Sequence, residues 1–172
     1  MAALLAGCDQ KKSGNSAGSA DTIAVSTPDS ALYGTVGEGT TMHVLELITE
    51  DGKAMSVAIS QDSCSDVQGG LFSGDRVTLT TRPGSGDTPE VEKLVNLTSL
   101  LGRWTSLDRN FEIQEDGIIV SSNKAESRPL THWSTANANL ILNADTFSVL
   151  LLGPDSMAIE NQEGIFVYKR AK

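Results

Sequence analysis

Residues 139–170 read NLILNADTFSVLLLGPDSMAIENQEGIFVYKR. Four short apolar runs, 139–142, 146–152, 157–160 and 164–169, are separated by Asn143-Ala144-Asp145, Gly153-Pro154-Asp155 and Glu163-Gly164. Each run is too short for an ordinary helix, and the separators are residues that turn a chain tightly, so the stretch predicts antiparallel strands joined by hairpins. Working back towards the N-terminus, the same grammar predicts strands over 100–106, 110–114, 118–121 and 129–134, with Asp116-Gly117 as the clearest turn. Eight short strands in succession describe an up-and-down meander, which can close into a barrel and leave no edge unpaired. Leu150-Leu151-Leu152 is expected to place apolar groups on both faces of its strand, buried against another module or a ligand.

The aromatic residues mark a boundary. Trp104, Phe111, Trp133, Phe147, Phe166 and Tyr168 all follow residue 100, leaving only Tyr33 and Phe72 before it. Residues 99–172 are therefore expected to form a core of their own, and residues 30–98 a separate module. In that first module, strands are expected around Val36, over 42–49 and 53–59, over 76–81 and over 91–97, with Asp51-Gly52 and Gly74-Asp75 as turns. Residues 60–72 read as a polar loop with a Gly69-Gly70 pair. The fold class is all-β, two small antiparallel barrels in tandem.

Each half carries a resemblance. Five strands interrupted between the third and fourth, with Leu71-Phe72-Ser73-Gly74-Asp75-Arg76-Val77 at the entry to the fourth, resemble an OB-like barrel. Gly102-Arg103-Trp104 resembles the Gly-x-Trp of lipocalins, and Lys169-Arg170 stands where those proteins carry a basic residue over that tryptophan. The resemblance implies a structural closure in which Gly102 allows close approach, Trp104 plugs the barrel floor and Arg170 covers its ring. It also implies a carrier for a small apolar ligand, for which His132, Trp133, Phe147 and Leu151 are the candidate lining residues. The half is shorter than a full lipocalin and lacks the other lipocalin motifs.

The N-terminus points to a membrane. Leu5-Ala6-Gly7-Cys8 resembles the lipobox of bacterial lipoproteins: a large apolar residue, two small ones, then the thiol that accepts lipid. Residues 1–8 are expected to be the remnant of a signal peptide, trimmed because no basic segment and only seven residues precede Cys8. Residues 9–29, rich in Gly, Ser and Ala without apolar periodicity, are expected to be a disordered, flexible tether. Lipid on Cys8 would then be the membrane anchor, in an envelope leaflet that Asp9 alone does not decide. Asp21-Thr22-Ile23, Asp29-Ser30-Ala31 and Asp155-Ser156-Met157 look like short bacterial O-glycosylation motifs. Asn96-Leu97-Thr98 matches an N-glycosylation sequon.

A formal net charge of −9 and a pI near 4.6 exclude nucleic acid as an expected partner, since phosphates would be repelled. His43, His132, Cys8 and Cys64 do not form a metal-ligand spacing, and a Cys64–His43 nucleophile pair has no support from spacing, so neither a cofactor nor a catalytic group is expected. The function expected is that of a non-enzymatic envelope lipoprotein acting through envelope proteins. A carrier of an apolar ligand is the alternative and a hydrolase the third reading.

Overall fold

The computed structural model describes residues 28–60, 65–122 and 127–172. The lipobox cysteine Cys8, the tether up to residue 27, the Asp21-Thr22-Ile23 motif and Cys64 lie outside those residues. The described chain is almost entirely β-structure in two sheets. The first contains β1 (Leu32–Val36), β2 (Val44–Thr49), β3 (Ala54–Ala58), β4 (Asp66–Gln68), β5 (Arg76–Arg82) and β6 (Glu90–Asn96). The second contains β7 (Gly102–Thr105), β8 (Asn110–Ile113), β9 (Ile119–Ser121), β10 (Trp133–Ala136), β11 (Asn139–Leu142), β12 (Asp145–Leu152), β13 (Ser156–Asn161) and β14 (Gly164–Arg170). A single turn of helix, α1 (Leu97–Leu100), joins them.

The second sheet follows the expected meander, in the order β10-β11-β12-β13-β14-β7-β8-β9. Its last strand returns to its first through Arg170↔Trp104 and Lys169↔Thr105. The remaining gap, between β9 and β10, is bridged at Ile118↔His132, with Ile119 N–H donating to Thr131 O and Trp133 N–H to Gly117 O at 2.8 Å each. The result is a nearly closed antiparallel barrel. The alternation of each strand turns Trp104, Phe111, Ile113, Leu140, Leu142, Val149, Met157 and Ile159 inward, each at most 2% exposed and packed in one cluster. Phe111 and Tyr168 meet edge to face at 5.1 Å, as do Phe147 and Phe166 at 5.8 Å.

The first sheet departs from the expected antiparallel pattern. Its order is β3-β2-β1-β5-β6-β4, and β3 also pairs with β6, so the sheet curls back on itself. Both closing contacts are parallel: Ala58↔Glu90 joins β3 to β6, and Asp66↔Lys93, Val67↔Leu94 and Gln68↔Val95 join β4 to β6. The sheet is mixed because β3 and β4 each run in the same direction as β6. Segment 66–68 was expected to be loop; it is a strand because its backbone completes the edge of β6, which its polar side chains do not advertise. Leu45, Leu47, Val57, Val77, Leu79, Val91 and Leu94 make the core of this sheet.

The two sheets share no strand, yet the cores touch across the expected boundary. Val95 and Leu97, before residue 99, belong to the cluster of the second sheet. Asn96 caps α1, its Oδ1 accepting from Ser99 N–H at 2.9 Å. Its Nδ2 donates to Gly70 O at 2.9 Å and Asp75 Oδ2 at 2.7 Å. This asparagine of the sequon is fully buried and committed to the interior. Gly69, at φ +102, lies so close that an added Cβ would sit 2.7 Å from Asn96 Cβ and 3.0 Å from Leu152 Cδ2.

Candidate functional site

At the base of the second barrel, Trp104 is 1% exposed and donates its Nε1–H to Leu100 O at 2.8 Å. The guanidinium carbon of Arg170 stands 4.2 Å from the centre of the indole ring. Arg170 does more than cover the ring: Nη2 donates to Ser99 O, Nη1 to Leu101 O and Nε to Pro154 O, each at 2.7 Å. One side chain thus satisfies carbonyls at the end of α1 and in the β12–β13 loop. Gly102, at φ +114, makes room, since an added Cβ would lie 2.8 Å from Arg170 Nη1. These three residues form a closure, with no opening between them for a ligand.

The four candidate ligand residues do not converge. Phe147 points into the packed interior at 7% exposure, while Leu151 points out at 49%. Trp133 packs part-buried against the core and donates its Nε1–H to Gln114 O at 2.7 Å. His132 is exposed on the β9–β10 bridge, its Nδ1 2.9 Å from Thr131 Oγ1. Of the four, Phe147 belongs to the buried core cluster and Trp133 packs against it. Leu150 and Leu151 are both outward because a bulge between Val149 and Leu151 inserts one residue in β12. The run still reaches both faces, Leu152 lying inward at 4% exposure in the core, but with two consecutive leucines outside. In the register Leu151↔Ala158↔Val167 it continues across β13 to β14, and Ile165, Val167 and Leu107 extend it at 59%, 60% and 103% exposure. Beside β14 a cleft of about 340 Å³ opens against the Ser106–Arg109 turn, where β7 has ended and β14 continues.

The second assembly of polar groups lies at the junction. Asp29, assigned to the tether by its composition, is fixed in place: Oδ1 accepts from Asn137 N–H at 2.8 Å and Oδ2 from the Tyr33 hydroxyl at 2.6 Å. Burial pushes the Asp29 carboxyl up, but hydrogen bonds from Tyr33 and from the backbone at Asn137 and Ala31 outweigh it and hold the group below its ordinary value. Ser30 N–H and Oγ both contact Asn137 Oδ1, at 2.9 and 3.0 Å. Lys93 Nζ donates to Asn139 Oδ1 at 2.6 Å, and Gln68 Oε1 accepts from Leu152 N–H at 3.0 Å. Burial lowers the Lys93 pKa, partly opposed by the Asp66 carboxylate. The tight β10–β11 turn that receives these bonds holds Asn137 at φ 50 and Ala138 at φ 53. Reading the sequence missed this group. Asn-Ala lacks the glycine that marks such a turn, and Lys93 gave no signal because its partner is 46 residues away.

Among the described residues, no helix is long and apolar enough to cross a membrane, and no group of His, Cys, Asp and Glu converges as a metal site. Comparison with protein-family models, curated proteins and solved structures found no match.

Proposed function

We propose that this chain is the body of a bacterial envelope lipoprotein, anchored through lipid on Cys8, which acts without catalysis by binding envelope proteins through its outer surface. In this reading the first sheet is an OB-like barrel, supported by the return of β3 to β6, and the second is lipocalin-like, supported by the Gly102, Trp104 and Arg170 closure. The observation that carries the interaction reading is a contrast within the second barrel. Its interior is filled by side chains, whereas Leu107, Leu151, Ile165 and Val167 stand outside in water. Apolar side chains grouped on a surface favour a partner, and inward side chains packed in one cluster favour interaction over carriage of an apolar ligand.

Two measurements test the proposal. Radiolabelled palmitate should mark the wild-type protein in a bacterial host and not Cys8→Ser, and the mutant should leave the membrane fraction; a membrane-bound, unlabelled wild type would overturn the anchor. A photo-crosslinking residue at Val167 should yield a discrete adduct with an envelope protein, absent when the probe is placed at Gln162 and reduced by Ile165→Asp. Stoichiometric uptake of an apolar fluorescent probe, displaced by fatty acid, would instead establish the carrier.

A further inference from the structure

Between the two barrels runs a groove of about 750 Å³ whose walls neither barrel supplies alone. The first sheet contributes Asp66, Thr80, Thr81, Glu92 and Lys93, and the β10–β11 turn contributes Asn137 and Asn139. We propose that this groove binds a short, uncharged glycan.

The first support is the way the walls are built. β5 carries a register shift between Thr80 and Thr81, and the opposite wall ends in the two consecutive non-glycine residues with positive φ, Asn137 and Ala138. Bulges re-aim side chains, and left-handed alanine costs energy that the rest of the fold must offset. Both irregularities fall on the same groove. The Lys93 ammonium is also held in place rather than left to swing in solvent: Asn139 Oδ1 takes one of its protons, and Asn139 is itself oriented through Nδ2 to Asn137 O at 3.3 Å. Part-burial makes this ammonium's lost hydration costly, which a ligand accepting its remaining protons would restore.

The second support is the chemistry of the lining. Hydroxyls, amides, two carboxylates and one ammonium line the groove, and donors and acceptors lie side by side at Thr80–Glu92 and Lys93–Asn139. A sugar hydroxyl both donates and accepts, and neighbouring hydroxyls on one ring match such pairs. Asp66 and Glu92 beside a single cation disfavour phosphate and other anions, which excludes a nucleic-acid strand. A peptide is disfavoured because its recognition relies on an open strand edge or apolar pockets; the apolar strip on β12–β14 has that character, and this groove does not.

The test is titration of the full chain with N,N′,N″-triacetylchitotriose and with maltotriose, followed by amide chemical shifts. At least one sugar should shift the amides of Thr81, Lys93 and Asn137 saturably. Lys93→Met should weaken that binding about tenfold or more, as removal of one charge-assisted hydrogen bond implies. Thr81→Val serves as a second variant should Lys93→Met disturb the junction, while Lys53→Met, on the exposed β2–β3 hairpin, should bind like wild type. Absence of saturable shifts with both sugars would overturn the proposal, as would shifts indifferent to both groove variants. Displacement of the sugar by an unstructured peptide that shifts the same amides would reassign the groove to peptides. None of these readouts depends on lipid at Cys8 or on a partner at Val167.

Discussion

Removing the guanidinium of Arg170 should cost far more than a single surface charge. Its Nη1 and Nη2 bonds reach part-buried carbonyls of Leu101 and Ser99, and its Nε bond reaches Pro154 O near the surface. Charge-assisted bonds of the first kind contribute about 1.5 kcal/mol each net, and a cation–π contact to Trp104 adds about 0.5–1 kcal/mol. Allowing for water that reaches the freed carbonyls, Arg170→Ala should destabilise the protein by about 3–4 kcal/mol, a large share of the 5–15 kcal/mol typical of a domain. Urea denaturation followed by tryptophan fluorescence reads the change, with m-values compared to show that the unfolded surface is the same. Arg170→Met, which keeps the stem over the indole, should recover less than half of the loss, and Arg170→Lys more than Met but less than wild type, because an ammonium cannot reproduce the planar fork. An Arg170→Ala midpoint within about 0.5 kcal/mol of wild type would show that water replaces the three bonds without penalty, and the closure argument would fail.

Trp104→Ala should cost about 3–5 kcal/mol, since the indole is buried and nothing beside it can fill the void; chemical denaturation checks it. Asn96→Ala should cost about 2–3 kcal/mol in the same assay, because it removes the cap of α1 and leaves Asp75 without its buried donor. The Asp29 carboxyl, held below its ordinary value in the folded state, stabilises its bonds to Asn137 and Tyr33 above its unfolded pKa, and that stabilisation is lost as pH falls through the lower folded value. Protection of the Asn137 amide, relative to its intrinsic exchange rate at each pH, should therefore fall on acidification below about pH 4 in wild type, and Asp29→Ala should be unprotected there at every pH. Lys93 titrates below its ordinary value, so the unfolded chain holds that proton more tightly, and stability should rise with pH between the folded and unfolded pKa; Lys93→Met should flatten this rise in alkaline denaturation curves.

The meander of the second half was legible because its turns are written in Asp, Asn and Gly and its strands are half-buried. Where a partner is backbone or distant in sequence, the reading stopped. Arg170 was placed over Trp104 by likeness at the two ends of the module, but its three carbonyl acceptors have no side-chain signature and were not legible. Leu150-Leu151-Leu152 does reach both faces, Leu152 inward, but the bulge at Leu150 adds a second consecutive outward residue that strict alternation does not predict. β4 was taken for loop because a three-residue parallel strand has neither the length nor the alternation that marks one. The groove residues come from positions 66, 80–81, 92–93 and 137–139, and only the docking of the hairpin brings them together.

That docking separates the two surfaces proposed here in a measurable way. The groove depends on the β10–β11 turn, which holds Lys93 through Asn139 and Asp29 through Asn137. The apolar strip depends on β12–β14, which meets that hairpin through the β11–β12 pairing and through Ser148 Oγ on Asn139 Oδ1 at 3.4 Å, while Leu151, Ile165 and Val167 bond none of the groove residues. Sites with no shared partners act additively, whereas sites coupled through one moving element do not. Lys93→Met should therefore weaken sugar binding and leave the Val167 crosslink intact, and Ile165→Asp should reduce the crosslink and leave sugar binding intact. Combining them should give the sum of the single effects on stability within about 0.5 kcal/mol. A larger discrepancy, with the crosslink yield falling in Lys93→Met, would mean that the hairpin transmits occupancy of the groove to the outer strip, and the two surfaces would have to be treated as one coupled site.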